Sequence, residues 1–564
     1  MSKKDANDHL HRRTFFKIAS ASAGAAAMPA ILPGQAQAAP VWNEEADVVI
    51  AGYGGAGACA AIEAHDAGAK VLILEKQPQA THYSNTRIAA GAVFSADPTG
   101  DKAALASYAE AIMSGDNLPW MLEGQEPDIA QGIAAAWAKY EPENIPFLQK
   151  LDPDFKPVPM GAEGVEDFPG FAAAKDRVFF ASYTGKVDFG ISTKDLPKNQ
   201  KMMGEALFAC MNNGVTTRKN IRIAYETPVQ SLITDADGQV TGVVAQQKGK
   251  SIRVKANRAV VITTGGYEFN AHLRAAFLDG PTKEGYAFYG TDANRGDGIV
   301  MALRAGASLL KAGELSGGLI AAVPLRANGL RIGVGINSIG AANSIVVNNV
   351  GKRYFDESEA ATSTYFYYHE GAKFNIKTRN YLDIPSWLIF DETIRKRGPM
   401  AVGSFGSVGY GWVPWTPDNM DAINRGWILK ADSIDELAGK IQGERDNRKQ
   451  MTADALKASV QRFNELCAKG SDDDFGRKLQ ASATIATPPY YALALYVGGP
   501  NTSGGLYANA DRQVLDWDGK PIPRLFAAGE IASLFKYVGS AHLSECIVCG
   551  RIAGKNAAAL KPWG

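Results

Sequence analysis

The sequence predicts an α/β protein, on three observations. An apolar run, Asp47-Val48-Val49-Ile50-Ala51, leads directly into Gly52-Tyr53-Gly54-Gly55-Ala56-Gly57 and then an alanine-rich stretch to about Gly68. A second apolar run, Lys70–Leu74, follows and ends on the acid Glu75. Glycine supplies 59 of 564 residues, a share above the usual figure of about 7 % but without the strict period of collagen. Such glycines serve tight turns and close backbone approach. The length is too great for one ordinary domain and comfortable for two.

Read in order, the first segment is a strand, a glycine turn, a helix and a second strand, which is a Rossmann-type βαβ unit. Gly52 makes the turn, Gly54 lets a pyrophosphate approach the backbone, and Gly57 lets helix and strand pack closely. Ala56 lies in the same turn. The helix start offers free N–H groups and a positive dipole to phosphates. Glu75 is placed to accept hydrogen bonds from a ribose diol. The unit therefore predicts a bound dinucleotide, and by itself it does not separate FAD from NAD.

Composition narrows the class. Lys+Arg and Asp+Glu are each 59, a formal net charge of zero, which argues against a nucleic-acid partner. Hydrophobic content of 46 % and charged content of 21 % suit a globular chain. Residues 1–38 read as a signal: Arg12-Arg13-Thr14-Phe15-Phe16-Lys17, a mildly apolar stretch from Ile18 to Leu32, and the small-residue site Ala36-Gln37-Ala38. This pattern resembles a twin-arginine signal, the export route for proteins that fold before crossing the membrane, and predicts a periplasmic mature protein. The apolar stretch is too short for a stable span, and no later stretch is long enough for one. The five cysteines are Cys59, Cys210, Cys467, Cys546 and Cys549. Cys546 and Cys549 have redox-motif spacing but sit in an apolar helical stretch, Leu543–Ala553, where packing is the better reading. The histidines show no metal-ligand spacing, so no metal is expected.

Later segments supply further motifs: Asn85-Thr86-Arg87-Ile88-Ala89-Ala90-Gly91, Val260-Val261-Ile262-Thr263-Thr264-Gly265-Gly266, Arg295-Gly296-Asp297-Gly298-Ile299, Leu525-Phe526-Ala527-Ala528-Gly529-Glu530 and Gly550-Arg551-Ile552-Ala553-Gly554. In this order the chain resembles the FAD-dependent fumarate reductase and 3-ketosteroid dehydrogenase superfamily over about residues 45–560. The resemblance implies a non-covalent FAD held by a discontinuous domain, residues 40–310 and 498–564, with an inserted α+β capping domain at 311–497. Position by position, it implies that Ala56 and Glu75 hold the pyrophosphate and adenosine ribose, and that Val229 meets the adenine by its backbone. Asn85, Thr86, Ala90 and Gly91 would line the flavin. Asp297, Asn501, Glu530, His542 and Leu543 would complete the site, Glu530 through the ribityl hydroxyls. Residues 101–201, rich in proline and aromatics with weak periodicity, are expected to form a helical elaboration.

The departures bear on the substrate. Fumarate reductases clamp a dicarboxylate with arginines, and their catalytic arginine falls at Ala361 here. Their proton-relay pair falls near Asn337 and Gly340, their paired histidines become Pro500-Asn501, and a further arginine lies close to Tyr537. Tyrosines cluster nearby: Tyr365, Tyr367, Tyr368, Tyr490, Tyr491, Tyr496 and Tyr537. Ketosteroid dehydrogenases resemble this arrangement, in which tyrosine hydroxyls polarise a ketone and a tyrosinate takes a proton. Tyr365, Tyr496 and Tyr537 are the catalytic candidates for oxidising or reducing a C–C bond beside a carbonyl in a flat apolar substrate. An exported reductase of an unsaturated carboxylate, fed by a cytochrome or quinone-linked partner and binding through Arg295, Arg331 or Arg353, is the alternative. A non-catalytic FAD electron carrier is the third reading.

Overall fold

The computed structural model describes residues 41–114, 127–161, 164–184, 203–278, 280, 284–358, 371–535 and 539–563. Two large sheets carry the architecture. The first has the strand order Gln513–Leu515, Pro521–Ala527, Lys250–Ile262, Glu44–Ala51, Val71–Leu74, Ile221–Ala224. From Pro521–Ala527 across to Ile221–Ala224 its neighbours are parallel. The hairpin Val229–Thr234/Val240–Gln247 joins it antiparallel, alongside Lys250–Ile262. Val48, Val49 and Ile50 are fully buried, because a central parallel strand is covered on both faces and so reads as a continuous apolar run.

The helix Gly55–Asp66 follows the glycine turn and crosses the C-terminal helix Gly539–Ala559. Small residues make this crossing close. A Cβ on Gly550 would stand 2.5 Å from the Ala56 carbonyl oxygen, and one on Gly554 would stand 2.1 Å from that of Ala60. The closing Gly-x-x-x-Gly pattern is thus a packing device that locks the last helix over the first.

The second sheet has seven strands, in the order Tyr286–Phe288, Leu330–Val334, Leu309–Ala327, Tyr490–Leu506, Ser386–Asp391, Ser344–Val347, with Ile428–Ala431 also paired to Tyr490–Leu506. Helices Ile434–Gly443 and Ala453–Lys469 bury Leu437, Phe463 and Leu466 with Ile345, Val347 and Trp387. The long strands Leu309–Ala327 and Tyr490–Leu506 form one antiparallel ribbon from Leu309↔Leu506 to Ala321↔Leu495. The expected boundaries at 310/311 and 497/498 fall inside these strands, both of which belong to the second sheet.

Residues 101–201 depart from the purely helical expectation. Helices Lys102–Ser114, Pro127–Tyr140 and Asn144–Leu151 are present, but Phe155–Gly161 and Val178–Tyr183 are strands of a three-stranded sheet with Ala92–Phe94. Two prolines in Phe155–Gly161 hid the first of them, since proline within a run argues against a strand. The described cysteines are all free thiols, in line with the packing reading of Cys546 and Cys549. No described helix is long and apolar enough to cross a membrane.

Candidate active site

The βαβ turn builds the first cavity. Gly52 has φ +102°, and a Cβ there would lie 2.6 Å from the Thr263 carbonyl oxygen. A Cβ on Gly57 would lie 2.3 Å from the Gly52 oxygen, so this glycine serves packing and does not line the cavity. A Cβ on Gly54 would make only ordinary contact, its nearest atom being the Ser84 Cβ at 3.7 Å. The Thr86 hydroxyl accepts from the Gly55 N–H at 3.1 Å. Glu75 is buried at the strand end, where its carboxylate accepts from the N–H groups of Tyr53 at 2.8 Å and Gln77 at 2.7 Å. Gly52, Gly54, Ala56, Glu75, Asn85, Thr86, Val229, Asp297 and Glu530 all line this cavity. Asp297, at the first position of helix Asp297–Arg304, is ion-paired with Lys76. His82 also lines the cavity, stacked on Tyr53 and held below its ordinary pKa by burial.

A second cavity, of about 460 Å³, adjoins the first. Asn85, Thr86, Glu530 and Cys546 line both. Ala90, Gly91, Asn501, His542 and Leu543 line the second, as do Ile88, Met160, Phe180, Met203, Tyr289 and Phe405. No arginine or lysine is among its described lining residues. The His542 imidazole is half-buried, and its desolvation holds it down to about 4, so it is neutral at physiological pH.

At the junction two carboxyl groups meet. Asn85 Nδ2 donates to Glu268 Oε1 at 3.0 Å and to Glu530 Oε2 at 2.9 Å. Asn294 Nδ2 donates to Glu268 Oε1 at 3.2 Å and to both oxygens of Glu530 at 3.1 and 3.2 Å. The Gly266 N–H donates to Glu530 Oε1 at 3.0 Å. Burial raises the pKa of both acids, and the charge of Glu268 pushes Glu530 higher still.

The groups present fit a dinucleotide carrying a planar ring system. A helix N-terminus with a side-chain-free approach at Gly54, an acid at the end of the second strand, and a larger, mostly apolar chamber follow one another along one path. The match of a family model then settles the assignment. The chain belongs to the FAD binding domain family, whose model covers residues 47–540. It is an FAD-dependent oxidoreductase. Digoxin reductase of Eggerthella lenta is 26 % identical over 98 % of each chain. A cytochrome-type fumarate reductase of Shewanella frigidimarina is 26 % identical over 93 % of this chain and 79 % of its own. The fold is shared with the 3-ketosteroid Δ1-dehydrogenase of Sterolibacterium denitrificans, at TM-score 0.73 and 23 % identity, covering 92 % of this chain and all of that one.

The tyrosine candidates fare differently. Tyr365 and Tyr537 lie outside the described residues, as do Tyr367 and Tyr368. Tyr496 is described and lines neither cavity. Its hydroxyl donates to Asp446 Oδ2 at 2.7 Å, and the Arg331 guanidinium stands over its ring at 4.8 Å. The Tyr491 hydroxyl donates to Glu392 at 2.6 Å, and Tyr490 lies on a separate outer groove. Strand pairing directs these side chains away from the cavity, which a count of tyrosines near a motif does not reveal. Arg331 and Arg353 are also committed, to Glu284 and Asp446 and to Glu357 and Asp472 respectively. Arg295 lines neither cavity.

Sequence reasoning missed Glu268, Asn294, Tyr289 and Phe405. An acid two residues beyond the Gly265-Gly266 turn was the available signal for Glu268. Tyr289 and Phe405 stand in contact, ring centroids 6.0 Å apart, yet 116 positions separate them in the chain, and no local pattern marks either.

Proposed function

We propose that this oxidoreductase adds or removes hydrogen across a C–C bond beside a carbonyl in a flat, apolar substrate seated in the second cavity. The observation that carries this reading is the lining of that cavity: aromatic and aliphatic side chains, a neutral imidazole, and no described cation to clamp a carboxylate. Likeness to digoxin reductase supports it. Bound FAD supplies the hydride acceptor or donor. Tyr289 and Phe405 offer a wall against which a flat ring system packs. Asn501, Ser316 and Ser404 supply the polar groups that orient a carbonyl. By resemblance, Tyr365 and Tyr537 polarise that carbonyl and take the neighbouring proton. Such polarisation makes the C–H acidic by stabilising the charge that develops on oxygen.

Ala56, Glu75, Val229 and Asp297 hold the adenosine and pyrophosphate end, with Gly52 and Gly54 leaving room for the backbone approach. Asn85, Thr86, Ala90, Gly91, Asn501, Glu530, His542 and Leu543 hold the flavin end, without a covalent link to the chain. Residues 1–38 direct export by the twin-arginine route to the periplasm, and a cytochrome or quinone-linked partner exchanges electrons with the flavin. The cytochrome-type fumarate reductase relative supports such a partner.

The test is anaerobic photoreduction of the purified flavoprotein, followed by reoxidation with flat enones, cinnamate-like acids and fumarate. Fast reoxidation by an enone is expected. Reoxidation by fumarate alone overturns the reading in favour of a carboxylate reductase. For export, Arg12→Lys with Arg13→Lys is expected to leave the precursor in the cytoplasm on cell fractionation, and unchanged periplasmic delivery overturns that part.

A further inference from the structure

The junction of the two cavities holds more acid than its donors can neutralise. Three of the four oxygens of Glu268 and Glu530 receive an N–H from Asn85, Asn294 or Gly266. The fourth, Glu268 Oε2, is fully buried and receives no donor among the described residues. A Cβ on Gly266 would stand 2.3 Å from Glu530 Oε1 and 2.7 Å from Glu268 Oε2, so both oxygens flank the same Cα. Two ionised carboxylates do not share so tight and dry a site.

We infer that Glu268 and Glu530 share one proton, held between Glu268 Oε2 and Glu530 Oε1, so that the junction carries a single negative charge. The donor pattern sets where that proton sits. A proton between these two oxygens occupies the one position that no N–H fills. Glu268 is thus a positioning residue. It fixes the Glu530 carboxyl where both cavities meet and holds the local charge at one.

Other ionisable groups fit this state. Arg274, buried on helix Ala271–Phe277, donates to the backbone carbonyls of Glu268 and Tyr286 and supplies one positive charge near Glu268. The Cys546 thiol, from the C-terminal helix, is kept neutral by burial and by the nearby charges of Glu545 and Glu530. The Tyr267 hydroxyl is bonded to the Ala312 carbonyl. Ionising Glu268 would place a second negative charge beside a cofactor that already carries a pyrophosphate, so FAD binding should weaken in alkali.

Two measurements test this, neither of them turnover. Infrared spectra of the wild type at neutral pH should contain a protonated-carboxyl band that shifts in D2O and is missing from Glu268→Gln. Fluorescence titration of apoprotein with FAD should show Glu268→Gln, a neutral isostere, within about twofold of wild type at neutral pH and free of the alkaline loss. Glu530→Gln should lose about tenfold or more, because its amide N–H would point at existing donors. Equal losses in the two variants, or no band sensitive to Glu268→Gln, overturns the inference. If Glu268→Gln does not fold, the wild type from about pH 9 upward decides. Glu141 and Glu545, raised to about 8 and about 7, are then largely ionised, so an acid band that fades together with FAD affinity as pH rises supports the inference, and affinity lost while the band persists refutes it.

Discussion

The short helix Asn85–Ile88 carries two residues that line both cavities, and one buried ion pair holds it in place. Arg87 donates through Nε to Glu205 Oε2 at 2.6 Å and through Nη2 to Glu205 Oε1 at 2.8 Å, a two-pronged pair with side chains 1 % and 3 % exposed. The Tyr410 hydroxyl stands 2.8 Å from Glu205 Oε2 and 2.6 Å from the Arg87 carbonyl, its single proton shared between the two acceptors. Glu205→Ala removes both fork bonds and takes the Glu205 countercharge from a buried guanidinium that keeps its bond to the His82 carbonyl, at a cost of about 3–5 kcal/mol. Tyr410→Phe removes hydroxyl hydrogen bonds, one to a charged group, at about 1.5–3 kcal/mol. Replacing the pair together, Arg87→Met with Glu205→Leu, removes the stranded charge and should recover much of the loss. Flavin release followed by fluorescence during urea unfolding ranks the variants without assuming a single transition. A cost for Glu205→Ala below about 1 kcal/mol, the range of an exposed pair, would refute the claim that this ion pair anchors the flavin-side helix.

Three further outcomes are expected. Gly57→Ala must displace the Gly52 carbonyl, 2.3 Å from the new Cβ, costing about 1–3 kcal/mol and lowering the flavin content measured in purified protein. Glu141 is buried, accepts from the Ala96 N–H at 3.0 and 3.2 Å, and is raised by burial from 4.5 to about 8. The folded state therefore keeps a proton that the unfolded chain loses near 4.5. Its contribution is fully present below that value and is lost as pH rises through about 8. Glu141→Gln should raise the melting temperature at pH 8 and leave it unchanged at about pH 4; a gain of equal size at both would sink the argument. In steady-state assays, Tyr365→Phe should slow turnover by about 10²–10⁴ if it handles the proton. Tyr496→Phe, which loses its bond to Asp446 away from both cavities, should stay within a few-fold of wild type, and a comparable loss would restore Tyr496 as a catalytic candidate.

The dinucleotide half of the site was legible in the sequence because its geometry is local. Six consecutive residues from Gly52 fix the turn, the helix start and the approach, and Glu75 ends the adjacent parallel strand in register, Ala51 opposite Leu74. The strand Phe155–Gly161 was not legible, because two prolines contradict the local strand signal. The tyrosines near Asn501 were misleading for a similar reason. Tyr496 pairs with Ile320 in the long ribbon, and that register, set by contacts far along the chain, decides what its side chain meets.

The sequence by itself determined the α/β class and, through its glycine turn and the motifs that follow it, the FAD cofactor. These depend on residue identity within short segments, where backbone direction follows from a few dihedral angles. Only the tertiary structure decided what lies around the second cavity and at its junction with the first. Asn85, Glu268, Asn294 and Glu530 come from four separate segments, and whether two acids meet and share a proton depends on how closely packing brings them together in a dry interior. That distance is a property of the whole fold, and no stretch of the chain records it.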